Sequence, residues 1–434
     1  MMKSTPLLLT PLFFVLSIFC FQQAIGQTQL TKTPYASPKA KVYQQIGLTD
    51  VGVVYFRPAV KDREIWGKLV PYGAVWRAGA NDNTVFKVSE EVNIEGQPLA
   101  AGVYGLHMIP GEQKCTVIFS KNNSSWGSFS YNEEEDALRV EVPMQKADHF
   151  YEYLTYEFEG LGTDKAVCAL NWSDKKIAFT VTSDVHNQTL ASLRDQLRTK
   201  PGWSWQGWNE AANYCLRNDV NQKEALGWAS RSVFMSPNPQ NMMVKAQLTA
   251  KVNSSGNEAA DKKMVLNTLK NDLNASPCTW KEWEAAANYA SSIEMWDEAV
   301  KLSETSVKMN PNMTNMISQA TILAKKGDIK ASEKIKKEAI AKGSNAELNT
   351  YGYQLLFSGK TNEAVEIFEA NTQKNPEDPN VWDSLGEGYA KNNQKEKAIE
   401  ALKKSLSLNP PANVKANSLR VLLQLGVDAE KMKP

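Results

Sequence analysis

The chain predicts two folding units of different class: an N-terminal antiparallel β-sandwich or barrel-like domain, then an all-α solenoid of helical hairpins. Three observations carry this. From Tyr35 to Ser183, short β-branched and aromatic runs alternate with turn signals, and no helix-period segment intervenes. After Asp184 the apolar period becomes helical, interrupted by Asn-Pro, Lys-Gly-Asp and Ser-Gly-Asn turns. A length of 434 residues also exceeds what one hydrophobic core usually serves.

Composition narrows the function classes. Hydrophobic residues make up 42% and charged residues 22%, which excludes global disorder and a polytopic membrane protein. Lys and Arg number 49 against 48 Asp and Glu, so a net charge of +1 provides no field to attract nucleic acid.

The first element is an export signal. Lys3 precedes an apolar run from Leu7 to Phe21, followed by the small-residue site Ala24-Ile25-Gly26. The run is shorter than the ~20 residues a spanning helix needs and contains Pro11, so cleavage is expected rather than anchoring. Phe19 before Cys20 argues against lipid attachment, where a small residue is the rule. The expected organisation is a signal peptide at 1–26, a linker at 27–34, the β domain at 35–183 and the helical domain at 184–434. The mature protein is expected to be periplasmic or secreted, without a transmembrane segment.

Cleavage would leave Cys115, Cys168, Cys215 and Cys278, none in a Cys-x-x-Cys pair or beside paired histidines, so neither a metal nor another cofactor is expected. Cys115 and Cys168 lie in strand-like runs. Core packing and a disulfide between them are both open.

In the β half the expected strands are Val51–Phe56, Val85–Val88, Val92–Ile94, Gly102–Ile109, Cys115–Ser120, Leu138–Val142, Tyr151–Glu159, Lys165–Trp172 and Lys176–Thr182. Leu138-Arg139-Val140-Glu141-Val142 alternates strictly, as a sheet with one wet face requires. Glu95-Gly96 and Pro110-Gly111 mark tight turns. The acidic run Glu133-Glu134-Glu135-Asp136 reads as a solvated loop.

Unusual residues concentrate after the first of these strands: Arg57-Pro58, Arg63-Glu64-Ile65-Trp66-Gly67, Pro71-Tyr72-Gly73 and Trp76-Arg77-Ala78-Gly79-Ala80-Asn81. Further strings are Gly96-Gln97-Pro98-Leu99, Ala101-Gly102-Val103-Tyr104, Ile109-Pro110-Gly111 and Trp126-Gly127-Ser128-Phe129. With these strings the β half resembles the domain of unknown function 2911 (DUF2911) family of exported Gram-negative bacterial proteins. The resemblance implies fold and location but no activity.

Arg57, Trp66, Trp76, Arg77 and Asn81 could form a pocket in which aromatic faces hold a sugar ring or a cation and guanidinium forks grip a carboxylate or phosphate. The competing reading has the tryptophans plugging the mouth of the sandwich while the arginines stack on them or satisfy loop carbonyls. His107, His149 and His186 are not at metal-ligand spacing, and no nucleophile motif accompanies them.

In the helical half, Gln188–Thr199 reads as an amphipathic helix. The clearest internal repeats are 345–376 and 379–410. The second contains Trp382, Leu385-Gly386, Tyr389, Ala398, Leu402 and Pro410, and the first aligns through Leu348, Tyr351-Gly352, Leu355, Ala364, Phe368 and Pro376, 34 residues earlier. This pattern resembles the tetratricopeptide (TPR) repeat. Weaker units follow Trp208 and Trp283, each with an Ala-Asn-Tyr string, at Ala212 and Ala287. Asn241–Lys251 with Glu258–Leu273, and Thr314–Ala324 with Lys330–Ala341, read as two more pairs, and Ala416–Leu425 as a cap. About six hairpins result, and stacking supplies the core that one pair lacks. By the resemblance, the first helix of each pair lines a groove. The groove candidates are Asn209, Asn213, Glu284, Asn288, Asn349, Tyr353, Asp383 and Glu387, polar groups suited to an extended peptide backbone or simply to solvating an exposed face.

The sequence contains no Gly-x-Ser-x-Gly, His-Glu-x-x-His or phosphate-loop string, and Gly160-Leu161-Gly162 and Gly386-Glu387-Gly388 lack a third glycine. The expected function is therefore an exported binding or scaffold protein. Its repeats would hold a protein or peptide, and its β domain would bind a small molecule or glycan, or dock the array. The alternative is an envelope enzyme acting on a carbohydrate or peptidoglycan fragment at the Trp/Arg cluster, which would need a carboxylate, histidine or activated hydroxyl converging there; Asp62, Glu64 and Asp82 are the nearby carboxylates.

Overall fold

The computed structural model describes residues 34–427. The predicted signal peptide lies outside the described residues, as does most of the 27–34 linker. The described residues divide into two compact units, which meet between Thr189 and Leu190 in the sequence.

The first unit is built on nine strands: β1 (Lys39–Ile46), β2 (Thr49–Phe56), β3 (Thr84–Val88), β4 (Val92–Ile94), β5 (Gln97–Leu99), β6 (Gly102–Pro110), β7 (Lys114–Ser120), β8 (Asp136–Glu159) and β9 (Lys165–Thr182). They hydrogen-bond in the order β1-β2-β3-β6-β7-β8-β9-β4-β5, every pair antiparallel. The ends of this order are not joined, so the architecture is a sandwich and not a closed barrel. β8 makes the fold: Leu138–Pro143 pairs with β7, and from Met144 onward the same strand pairs with β9. Residues of both layers share one core, where Phe86, Phe119 and Phe179 meet with ring centroids 5.0–5.8 Å apart.

Three sequence expectations are corrected here. Leu138–Val142 and Tyr151–Glu159 are one strand, because register shifts between Lys146 and Thr155 absorb the intervening residues without breaking the extended chain. Lys165–Trp172 and Lys176–Thr182 likewise form the single strand β9, with Ser173 at φ 56°. The acidic run is not simply solvated. Glu133–Glu135 forms a 3-10 turn capped by Asn132, and the largely buried carboxylate of Asp136 holds Tyr131 and Arg139.

Cys115 and Cys168 are fully buried, separate thiols in the β core. Burial pushes the Cys115 thiol up to about 12 and raises that of Cys168.

The helical elements begin with α1 (Val185–Leu197), which spans the boundary at Leu190, and continue in the second unit as six hairpins. They are α2 (Trp205–Asn218) with α3 (Gln222–Met235), α4 (Pro239–Val252) with α5 (Glu258–Ala275), and α6 (Trp280–Ser292) with α7 (Trp296–Met309). Then come α8 (Met313–Lys326) with α9 (Ile329–Lys342), α10 (Asn345–Phe357) with α11 (Thr361–Lys374), and α12 (Pro379–Lys391) with α13 (Lys395–Ser407). α14 (Ala412–Gln424) follows.

The consensus residues act through close approach. A Cβ on Gly352 would lie 2.4 Å from Phe368, and one on Gly386 would lie 2.5 Å from Leu402, so only glycine lets the paired helices meet there. The indole N–H groups of Trp208 and Trp382 each donate to a carbonyl six residues earlier, Gly202 and Pro376, both at 2.8 Å.

Buried amides lock successive hairpins together. Ser232 donates to the Trp205 carbonyl, and Asn241 donates to Ser232 Oγ (3.0 Å) and the Ser236 carbonyl (2.8 Å). Ser306, Trp280, Asn315 and Asn310 repeat the arrangement. Each Asn also closes a capping box, with Asn238 or Asn312. The strings Ser236-Pro237-Asn238-Pro239-Gln240-Asn241 and Asn310-Pro311-Asn312-Met313-Thr314-Asn315 therefore encode a joint.

Candidate functional site

The β-domain candidates separate into three groups. Trp66 and Trp76 meet edge to face at 5.9 Å, and Trp172 of β9, absent from the sequence-based set, completes the cluster by stacking on Trp76 at 5.8 Å. Trp66 is buried, and its indole N–H donates to the Trp172 carbonyl. That of Trp76 donates to the Gly79 carbonyl. Arg57 stands apart, its Nε on the Leu154 carbonyl (2.9 Å) and its Nη2 on Thr155 Oγ1 (2.6 Å), tying the end of β2 to β8.

Arg77 and Asn81 form the third group. Trp76 exchanges two 2.8 Å backbone hydrogen bonds with Met108 of β6, which sets Arg77 abreast of His107. Consecutive extended residues face opposite sides, so Trp76 turns to the core and Arg77 away from it. The chain then bends through Ala78 (φ 48°) and Asn81 (φ 57°), both left-handed. Thr84 Oγ1 and the Tyr156 hydroxyl both donate to the Ala78 carbonyl and hold this bend. The Asn81 side-chain amide reaches the Ser37 carbonyl at 3.5 Å.

The segment 122–131 lies beside this bend. Asn83 N–H donates to the Ser125 carbonyl (3.0 Å) and Gly127 N–H to the Asn81 carbonyl (3.1 Å). His107 is buried with Nδ1 3.0 Å from Ser128 Oγ and its ring 5.3 Å from Tyr131. Burial pulls its pKa down to about 4, with Asp136 opposing, so the imidazole is neutral at pH 7. Arg77 is half-buried. Its Nε is shielded from solvent without a hydrogen-bond partner, and burial lowers its pKa. Asp62, Glu64 and Asp82, the carboxylates nearest the Trp/Arg cluster in sequence, are exposed.

In the repeat array, much of the expected groove chemistry is spent between helices. Buried Asp383 accepts from Ser418 Oγ (2.5 Å) and Asn417 Nδ2 (2.7 Å), joining α12 to α14, and burial raises its pKa while these bonds oppose the rise. Glu387 accepts from the Tyr353 hydroxyl (2.6 Å) and Arg420 Nη2 (3.1 Å), a rung across α10, α12 and α14. Burial and Glu387 together raise the Tyr353 pKa. Asn288 accepts from Ser318 Oγ at 2.8 Å, and burial raises the pKa of Glu284. Asn209 and Asn349 each keep a buried Oδ1 without a partner. Asn213 lines a cleft of about 630 Å³ bordered by α2, α4, α5 and α6. A second cleft of about 330 Å³ lies among α10, α12 and α14, lined by Tyr353, Leu356, Phe357, Glu387, Lys391 and Arg420.

Residues 37–181 match the model of the family described as "Protein of unknown function (DUF2911)". The β unit is a DUF2911 domain. Residues 379–412 match the tetratricopeptide repeat model. Similar solved structures include YrrB, described as a TPR protein with an unusual peptide-binding site, at 19% identity over 44% of this chain and 97% of that one, with a TM-score of 0.23. Another is a tetratricopeptide repeat protein from Parabacteroides merdae, at 15% identity over 54% of this chain and 91% of that one, with a TM-score of 0.28. No curated protein matches the chain.

Two of the strings that mark the DUF2911 domain, Trp76–Asn81 and Trp126–Phe129, are thus joined by the Gly127–Asn81 backbone hydrogen bond, flanked by that of Asn83 to Ser125, although they lie far apart in the sequence. Trp126 and Phe129 stack at 5.7 Å and are 64% and 82% exposed. Among the described residues no cluster of three His, Cys, Asp or Glu could hold a metal, and no helix is long and apolar enough to cross a membrane.

Proposed function

We propose that the protein is an exported scaffold whose tetratricopeptide array holds an extended segment of a partner protein. The observation that carries this reading is the cleft among α10, α12 and α14. Phe357 at its rim is 83% exposed, with Leu356, Val421 and Leu425 beside it. An exposed phenyl group next to an apolar floor favours insertion of a partner side chain. Glu387 is occupied by Tyr353 and Arg420, whereas Lys391 has no ion-pair partner among the described residues. The cleft therefore suits an apolar side chain with a carboxylate nearby. Export of the scaffold rests on Lys3, the Leu7–Phe21 run and Ala24-Ile25-Gly26.

Selection of displayed peptides on the mature chain tests the proposal. Enriched peptides should pair Leu or Phe with Asp or Glu and should weaken at least tenfold against Phe357→Ala and against Lys391→Glu. Selection without convergence, or binding unaffected by both variants, would refute it. N-terminal sequencing of the envelope-purified protein tests export, with Gln27 as the expected first residue.

A further inference from the structure

We infer that Arg77 centres an anion-binding site in the DUF2911 domain, one that takes a carboxylate or phosphate whose attached flat or apolar part lies on the Trp126–Phe129 pair. The site is distinct from the repeat cleft.

The four arginines of the described β domain make the first argument. Arg57 donates to Leu154 and Thr155, Arg63 to the Val60 and Ala59 carbonyls, and Arg139 to Asp136 and Tyr131. Arg77 alone has neither a hydrogen bond nor an ion pair among the described residues, and its Nε is buried. A guanidinium does not shed its proton in a protein, so it cannot escape a half-buried position by becoming neutral. Its Nη groups reach solvent, so an arriving anion would replace their water and supply the acceptor that Nε lacks.

The second argument is the aromatic surface beside it. Gly127 has φ +71°, and a Cβ there would lie 3.5 Å from Arg77 Nη1 and 2.9 Å from the Phe129 ring. No methyl group fits there, so glycine is what lets the Phe129 ring and the guanidinium close on the same turn of backbone. Phe129 and Trp126 then offer a stacked, exposed apolar surface that no residue of the domain covers.

Competing charge is absent from the rear of the site. His107, abreast of Arg77, is neutral and held by Ser128, while Asp136 is engaged by Arg139 and Tyr131. The left-handed residues Ala78 and Asn81 fix the loop that carries Arg77. Strained backbone of this kind persists where its surroundings over-determine it, and it places the guanidinium in advance of any ligand.

The test uses the full mature chain at low salt with four probes: acetate, inorganic phosphate, benzoate and phenyl phosphate. Binding is read from the Arg77 Nε–H resonance and from tryptophan fluorescence. An aromatic anion should shift that resonance and bind at least tenfold more tightly than its simple counterpart. Benzoate as the tighter aromatic probe would assign a carboxylate ligand, and phenyl phosphate a phosphate. Arg77→Gln should lose at least tenfold, and Phe129→Ala should erase the advantage of the aromatic probes. Gly127→Ala, which keeps Arg77 but drives a Cβ into the Phe129 ring and so displaces it, should also weaken binding. If no probe moves the wild-type Arg77 resonance, a result that needs no variant, the inference fails. It fails equally if Arg77→Gln binds as the wild type does.

Discussion

Acidification should weaken the β domain through His107 in particular. The ring is 2% exposed, and its pKa falls from 6.5 to about 4 because burial penalises the imidazolium, only partly offset by Asp136. The native value therefore lies below the unfolded one. Between pH 6.5 and about 4 the unfolded chain takes up a proton that the native domain refuses. Stability is full above that window, declines as pH drops through it and levels off beneath it. A shift of roughly 2.5 units at 1.36 kcal/mol each is worth about 3 kcal/mol. The perturbation is His107→Gln, which keeps a polar group for Ser128 but does not titrate. The assay is urea unfolding of the full chain, followed through ring-shifted methyl resonances packed on Phe86, Phe119 and Phe179, which report on the β core alone. Wild-type stability should fall between pH 6.5 and 4.5 more steeply than that of the variant, by about 2 kcal/mol over this interval. Equal slopes would refute the reasoning, as would a native His107 resonance titrating near pH 6.5.

The helical domain yields two further tests. Gly386→Ala forces a Cβ to within 2.5 Å of Leu402 and should cost about 1–3 kcal/mol in urea unfolding followed by helical circular dichroism; a cost under 0.5 kcal/mol would contradict the close approach of α12 and α13. Asn315→Ala leaves the Asn310 carbonyl and Ser306 without their buried donor and should cost about 1–3 kcal/mol in the same assay, and Asn241→Ala should match it if the two joints are equivalent.

Much of the fold was legible because it rests on local patterns. Alternation revealed most strands, and 34-residue spacing revealed the strongest hairpins. β1 escaped because Lys39, Lys41, Gln44 and Gln45 interleave its few apolar residues, as an exposed edge strand tolerates. β8 and β9 were each divided because their polar or irregular middles read as turns, while pairing with a long neighbour kept them extended.

The candidate site was legible as strings but not as an arrangement. Arg57, Trp66, Trp76, Arg77 and Asn81 are close in sequence, yet strand alternation parts Trp76 from Arg77, and Arg57 is claimed by β8. The third tryptophan, Trp172, and the Trp126–Phe129 pair come from distant segments. In the repeats, the sequence places Asp383 and Glu387 on the groove face, and the structure adds that Ser418, Asn417, Tyr353 and Arg420 engage them between helices.

The amino-acid order by itself determined the two classes of unit, the hairpin repeat and the DUF2911 strings, because periodicity and turn chemistry act over a few residues. Only the tertiary structure decided that Arg77 goes unpaired beside Gly127 while Arg57 and Arg139 are satisfied, because partnership depends on which distant strands and loops are brought into register.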